Sequence, residues 1–417
     1  MLDALRNAWK IPDLRKRIKY TALMLILFRI GTFVPVPRMD PNAVRAMIEK
    51  GALLGFFDII SGGAFKQFSV FAMSITPYIN ASIIVQLLTI VIPRWEELAK
   101  EGEAGRKILA QYTRYGTVIL GLIQATGLSI GFRSAMKPGI LSNIVVVISL
   151  TAGTAFLMWL GEQITDKGIG NGISLLIFAG IVSRIPASVY QLYALTKVGT
   201  INLLMLVIFA ILGVVVIVGV IAVQEAERRV PVQYAKRIVG RKVYGGQSTH
   251  IPIKVNAAGV IPVIFAMSIL LFPSTLAGFF PNSKVMTSIA EFLKPSGWLY
   301  AVLYALFIVF FTYFYTAITF NPVEVADNMK KYGGFIPGMR PGRPTAEYIS
   351  RIMNRITLVG ALFLAAIALM PYFMTALSGI NISFGGTALL IVVGVALETM
   401  KAIEAQMLMR HYQGFLK

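Results

Sequence analysis

The stretch NLLMLVIFAILGVVVIVGVIAV (Asn202–Val223), followed at once by QEAERRVPVQYAKRIVGRK (Gln224–Lys242), decides the fold. Its first part is long enough for a helix to cross a ~30 Å hydrocarbon core, which takes roughly 20 mostly apolar residues. Its second part places a run of cations on one side of that span. The same alternation recurs along all 417 residues. Working outward, ten candidate spans fall at Ile18–Val34, Ser69–Ile92, Leu109–Ile130, Leu141–Gly161, Gly172–Tyr190, Asn202–Val223, Ala257–Thr275, Trp298–Phe320, Thr357–Ala376 and Phe384–Gln406.

Composition agrees. Hydrophobic residues make up 56% and charged residues 14% of the chain, with a mean hydropathy of +0.72. A water-soluble surface with that balance would carry apolar patches larger than such surfaces tolerate. The first span is not expected to be a cleaved signal peptide: Arg29 interrupts it, no small-residue cleavage site follows, and spans continue downstream. With no cysteines, disulfides and thiolate chemistry are excluded.

The net charge of +20 is unevenly placed. Most of the 39 Lys and Arg sit before span one, after spans two, four, six and eight, and in the tail. Only Arg38, Arg45, Lys50, Lys66, Arg133, Lys137, Arg184, Lys197, Lys284 and Lys294 face the other way. The positive-inside rule then puts both termini in the cytoplasm.

Three segments outside the spans stand out. Leu53–Phe65 (LLGFFDIISGGAF) is apolar but too short to cross, so it reads as a re-entrant segment or as a helix packed on the outer surface. Residues 224–256 and 321–355 are long basic loops on the cytoplasmic side. The first contains RKVYGGQSTHIPIKV, a hairpin pattern with Gly245–Gly246 at its expected turn. The second contains GGFIPGMRPGRP, too rich in Pro and Gly for a helix. Two patterned basic loops on one side suggest a docking surface, and they divide the chain into halves at 1–196 and 197–417.

No catalytic or metal-binding constellation is present in the sequence. His250 and His411 lie apart, in a loop and in the tail. GIGNGIS (Gly168–Ser174) imitates a phosphate loop but lacks the Gly-Lys-Ser/Thr ending, and it reads as a flexible lead-in to span five. Charges inside the spans are few. Arg29 lies near the outer end of span one and is expected to snorkel outward, while Glu398 and Glu404 lie beside Lys401 near the inner end of span ten. Neutral polar residues (Thr76, Asn80, Ser82 and Gln86 with Pro77, then Gln124, then Asn256 with Pro262) either hydrogen-bond neighbouring helices or mark a seam that opens. A secondary transporter would leave the docking loops and the short apolar segment unexplained. A membrane protease would need a nucleophile–base or metal cluster.

Six long motifs resemble the SecY family of protein-translocase channel subunits: TPYINASIIVQLLT (Thr76–Thr89), KEGEAGRKILAQYTRYGT (Lys100–Thr117), GIGNGISLLIFAGIV (Gly168–Val182), YGGQSTHIPIKVNAAGVIP (Tyr244–Pro262), FIPGMRPGRPTAEYI (Phe335–Ile349) and FGGTALLIVV (Phe384–Val393). The resemblance implies an all-α polytopic membrane protein with ten transmembrane helices. These form two pseudo-symmetric five-helix halves around a central pore, closed by a short plug helix. By position it implies a pore ring of Ile75, Ile79, Ile177, Ile181, Ile264 and Ile391. The implied plug includes Leu53, Leu54, Phe56, Phe57, Ile59, Ile60, Ser61, Gly62 and Gly63. A lateral gate is implied at Asn80, Gln86, Asn256, Ser268 and Phe272, and docking residues at Arg228, Arg229, Lys236, Arg237, Arg241 and Arg340.

The family further implies a channel rather than an enzyme, without cofactor or metal, in the cell inner membrane. It moves unfolded secretory polypeptides across the membrane and releases transmembrane segments into lipid. The implied partners are SecE, SecG, the SecA motor ATPase, the ribosome through rRNA, and signal sequences. An apolar ring suits such cargo, because it seals by dewetting and yields to any passing side chain.

Overall fold

Prolines set several helix boundaries in the computed structural model, which describes residues 6, 8–44, 61–197, 203–234, 237–239, 242–244, 248–277, 288, 292–293, 297–378 and 386–414. Helix α1 (Pro12–Gly31) opens on a proline, where the missing N–H is no loss, and carries Asp13 in its first turn. Helix α2 (Thr76–Val91) has Pro77 in its first turn and ends because Pro93 holds Ile92 extended, at φ −99° and ψ 110°. The chain bends by 103° there into the short helix α3 (Pro93–Lys100). The expected start of this span at Ser69 is too early. Residues 70–75 run through turns, with Phe68 at φ 45° and Ser74 at φ 52°, and the helix begins only at Thr76.

Helices α4 (Glu103–Gly131) and α5 (Ile140–Lys167) follow, then α6 (Gly172–Val182) and α7 (Ile185–Lys197). The break between α6 and α7 falls at Ser183–Arg184, four residues after Ala179 and just before Pro186, which has no N–H to give to Val182. After α8 (Leu203–Glu225) come strands β1 (Glu227–Tyr234), β2 (Arg237–Val239), β3 (Lys242–Tyr244) and β4 (Ser248–Lys254). The rest comprises α9 (Ile261–Ala277), α10 (Trp298–Thr319), α11 (Pro322–Lys331), β5 (Gly334–Phe335), α12 (Arg343–Ser378) and α13 (Gly386–Gly414).

Each of the ten apolar stretches thus carries a helix. Among the described residues, six rods are long and apolar enough to cross a membrane alone, and seven if the bent pair α2–α3 is one span. The remaining three stretches lie on α1, α4 and α9. The first turns of α1 and α4 are cationic, and the apolar part of α9 is short, at Ile261–Leu270. Outward faces are aliphatic: Leu204, Ile208, Ile211, Val214, Val215 and Val218 of α8 are all exposed. Such a face suits lipid and would be a liability in water.

Helix α4 packs between α2 and α5, α5 against α6 and α1, α9 against α10, α10 against α12, and α8 against α13. Helices α2 and α9 meet, as do α6 and α13. One continuous apolar core joins α1, α2, α5, α6, α8, α9, α10, α12 and α13, from Phe28 of α1 to Val395 of α13, while α4 contributes Ala125 to a separate cluster with Val146 and Leu150 of α5.

The lead-in at Gly168–Ser174 is tightly packed rather than flexible. Asn171 caps α6, its Oδ1 accepting from the N–H groups of Ile173 (3.1 Å) and Ser174 (3.2 Å). A Cβ on Gly172 would sit 2.0 Å from the carbonyl oxygen of Gly161, so only glycine lets α5 and α6 approach this closely.

The two basic loops are one structure. Strand β1 pairs antiparallel with β4 (Val230 opposite Ile251) and, on its other edge, with β5 (Gln233 opposite Phe335). Strands β2 and β3 pair in the same register as β1 and β4. They form a separate two-stranded sheet, beside the three-stranded sheet of order β4-β1-β5. The expected turn at Gly245–Gly246 lies outside the described residues. The second loop is largely helical, since α11 opens it under an Asn321 cap and α12 begins at Arg343. Only the turns and strand around Gly333–Gly342 keep the expected Pro/Gly character.

Candidate functional site

The six isoleucines singled out by sequence come from four helices. Ile75 and Ile79 sit at the start of α2, Ile177 and Ile181 on α6, Ile264 on α9 and Ile391 on α13. Spacing by four puts each helix pair on one face. All six are buried, with Ile79 the most exposed at 8%, and all belong to the one apolar core that joins these helices. Nothing in their side chains fixes a polar partner. The cluster is held by packing alone, so an inserted chain can part it at the cost of contacts rather than of orphaned hydrogen bonds.

Of the expected plug, Leu53, Leu54, Phe56, Phe57, Ile59 and Ile60 lie outside the described residues. Its final residues are described, and they form turns rather than helix. Ser61 is buried and its Oγ accepts from the Phe65 N–H at 3.0 Å. Gly62 has φ 66°, and a Cβ there would lie 2.9 Å from Cα of Gly180 on α6. Arg29 does not simply snorkel outward. Its Nη1 donates to the Gly62 carbonyl oxygen at 2.9 Å and to Ser183 Oγ at 3.2 Å, and its guanidinium lies 4.7 Å above the centre of the Phe33 ring. Arg29 sits in the last turn of α1, so its cost lies below the ~2.5–3.5 kcal/mol of an arginine at mid-span, and these contacts offset part of it. The groups border a cavity of about 380 Å³ that also touches Lys66 and Arg184.

At the seam between α2 and α9, Asn80 and Ser268 are buried. Gln86 donates to Ser82 Oγ at 3.2 Å, a local bond along α2. Asn256, just ahead of α9, donates to the Gly259 carbonyl at 3.1 Å, and its buried Oδ1 has no partner. Phe272 lies on α9, and only its backbone is described.

On the basic side, Arg228, Arg229 and Arg340 are exposed, and Arg229 pairs with Glu227 at 2.8 Å. Thr345 donates to the Arg340 carbonyl at 2.9 Å, tying the turn to α12. Arg237 is described in backbone only, and Lys236 and Arg241 lie outside the described residues. Beneath the sheet, Val230, Val232, Ile253, Met329, Ile336 and Ile349 form a separate small core.

The SecY family model matches residues 69–400 of the chain. The chain belongs to the SecY family. Protein translocase subunit SecY of Halalkalibacterium halodurans is 50% identical over 436 aligned positions, covering 100% of each chain. Among solved structures, the fold matches one in which the plug domain of the SecY protein stabilises the closed state of the translocation channel, at TM-score 0.67, 19% identity and 96% of each chain. It also matches Sec61 in a canine ribosome–channel complex, at TM-score 0.62, 18% identity and 96% of each chain. At such identities the structural likeness is one of fold.

Sequence reasoning missed two parts of this SecY-family site. One is the pairing of Arg29 with Gly62 and Ser183. The charge in the outer half of span one was its signal, but a partner 154 positions away in the chain leaves no local trace. The other is the small core that fuses the basic loops, whose apolar residues are scattered among cations.

Proposed function

We propose that the chain is the central pore-forming subunit of the Sec protein-conducting channel, passing unfolded secretory polypeptides across the membrane and releasing transmembrane segments sideways into lipid. The observation that carries this reading is the burial of Ile75, Ile79, Ile177, Ile181, Ile264 and Ile391 in one apolar cluster shared by four helices. Residues 1–196 and 197–417 act as two halves that meet there through α2–α9 and α6–α13. Parting α6 from α13 widens the ring, while parting α2 from α9 opens the seam. Asn80, Gln86, Asn256, Ser268 and Phe272 are the polar and aromatic residues a signal sequence meets in that seam. Its apolar side chains then gain about 0.3–0.6 kcal/mol each on reaching lipid.

Leu53–Phe65 acts as the plug. The fused basic loops, with Arg228, Arg229, Lys236, Arg237, Arg241 and Arg340 upon them, receive SecA or the ribosome, and SecE and SecG complete the channel. Sec61 in a ribosome-bound complex supports the ribosomal partner by analogy. The chain spans the cell inner membrane with both termini cytoplasmic, which the placement of Lys and Arg supports.

The absence of cysteines makes the test direct. A single cysteine replaces Ile79, a secretory chain is stalled in transit, and crosslinking to the mature part of that chain is measured. A crosslink that requires both SecA and a signal sequence is expected. Transport without a crosslink, with a lipid-facing cysteine on α8 as control, would move the path away from the ring.

A further inference from the structure

We propose that Arg29 is a latch that holds the channel closed by fastening the end of the plug to the break in span five; this rests on the plug reading above. Three elements converge on one guanidinium. Arg29 comes from the last turns of α1, Gly62 from the end of the plug segment, and Ser183 from the gap between α6 and α7. The same nitrogen, Nη1, donates to the Gly62 carbonyl at 2.9 Å and to Ser183 Oγ at 3.2 Å. Ser183 Oγ in turn donates to the Gly180 carbonyl at 2.7 Å, and it is Gly180 that a side chain on Gly62 would strike.

This arrangement is sensitive to plug position. Gly62 sits at φ 66° with no room for a side chain, so its carbonyl meets Arg29 only while the segment lies against α6. The Phe33 ring beneath the guanidinium holds it in place through the attraction of a cation for an aromatic face. Once the plug leaves, the Gly62 acceptor is lost and Arg29 must find water or a headgroup. Arg29 is therefore a positioning residue: it touches no cargo, but it sets how readily the closed state yields to a chain without a signal sequence. Ile181, one of the ring isoleucines, lies two residues before Ser183, so the latch also ties plug position to the ring-bearing helix.

The test uses the full chain with its companion subunits in sealed vesicles, reading motor-driven passage of a precursor stripped of its signal sequence. Arg29→Met is expected to raise that passage about tenfold, the factor that corresponds to ~1.4 kcal/mol. Arg29→Lys, which keeps the charge but loses the planar fork, is expected to give a smaller rise. In a chain lacking residues 53–63, itself leaky, Arg29→Met is expected to add nothing. Ser183→Ala removes one acceptor and no charge, and it carries the same expectation on a smaller scale if Arg29→Met does not accumulate.

The latch is overturned if Arg29→Met and Ser183→Ala stay as tight as the unaltered chain while the plug-less chain leaks. It is also overturned if Arg29→Met raises passage equally with the plug removed. A plug-less chain that stays tight would overturn the plug reading, and the latch with it.

Discussion

At the scale of single residues, the ring isoleucines and Arg340 carry opposite kinds of chemistry. Ile79 and Ile391 lie in one apolar core, which in the proposed function seals by excluding water. Ile79→Asn or Ile391→Asn puts an amide there, and burying an unpaired amide costs on the order of 1–3 kcal/mol. The closed state is expected to lose that much relative to the open one. Export of proteins without signal sequences then rises about five- to 150-fold, measured in vesicles or by reporter secretion; unchanged rejection would separate the ring from the seal. Arg340 is exposed in a turn held by Thr345. Arg340→Glu is expected to block SecA-driven export while sparing insertion of ribosome-delivered membrane proteins, and equal loss of both would indicate a folding defect. Sequence alone picks out these residues only through family motifs, because a mid-span isoleucine has no signature of its own.

Elements depend on contacts between segments far apart in the chain. The β4-β1-β5 sheet, proposed as the docking surface, stands on a small core in which Val232 and Ile336, from different loops, are both buried. Val232→Asp is expected to loosen that core by about 2–4 kcal/mol through a buried, unpaired carboxylate. Protease cleavage within residues 227–254 should rise and SecA coupling fall, although no surface cation has been removed. Coupling that persists would mean the cations act without the sheet beneath them. At the entry to span five, Gly172→Ala drives a methyl into the Gly161 carbonyl. The expected result is a chain that fails to accumulate or is degraded rapidly, read by pulse–chase. The glycine run was legible as sequence, but its meaning was not. Flexibility and close packing call for the same residue, and only the partner backbone distinguishes them.

For the whole molecule, the face proposed to be cytoplasmic carries most of the Lys and Arg, and the proposed seam is where α2 meets α9. Attraction to rRNA releases counterions, so ribosome affinity should fall steeply and log-linearly with salt, by about 0.7–0.9 in slope for each phosphate neutralised. Titration of ribosomes onto vesicles at several salt concentrations checks this, and a flat salt response would point to an apolar interface. The sequence by itself determined the membrane class, the ten apolar stretches and the sidedness of charge. Hydrophobic length and Lys/Arg placement are properties of consecutive residues, and the bilayer reads them locally. The tertiary structure alone decided that six isoleucines from four helices share one core, that two distant loops build one sheet, and that Arg29 meets Gly62 and Ser183. Those are contacts between residues tens to hundreds of positions apart, and the free energy that selects them arises only when the helices pack.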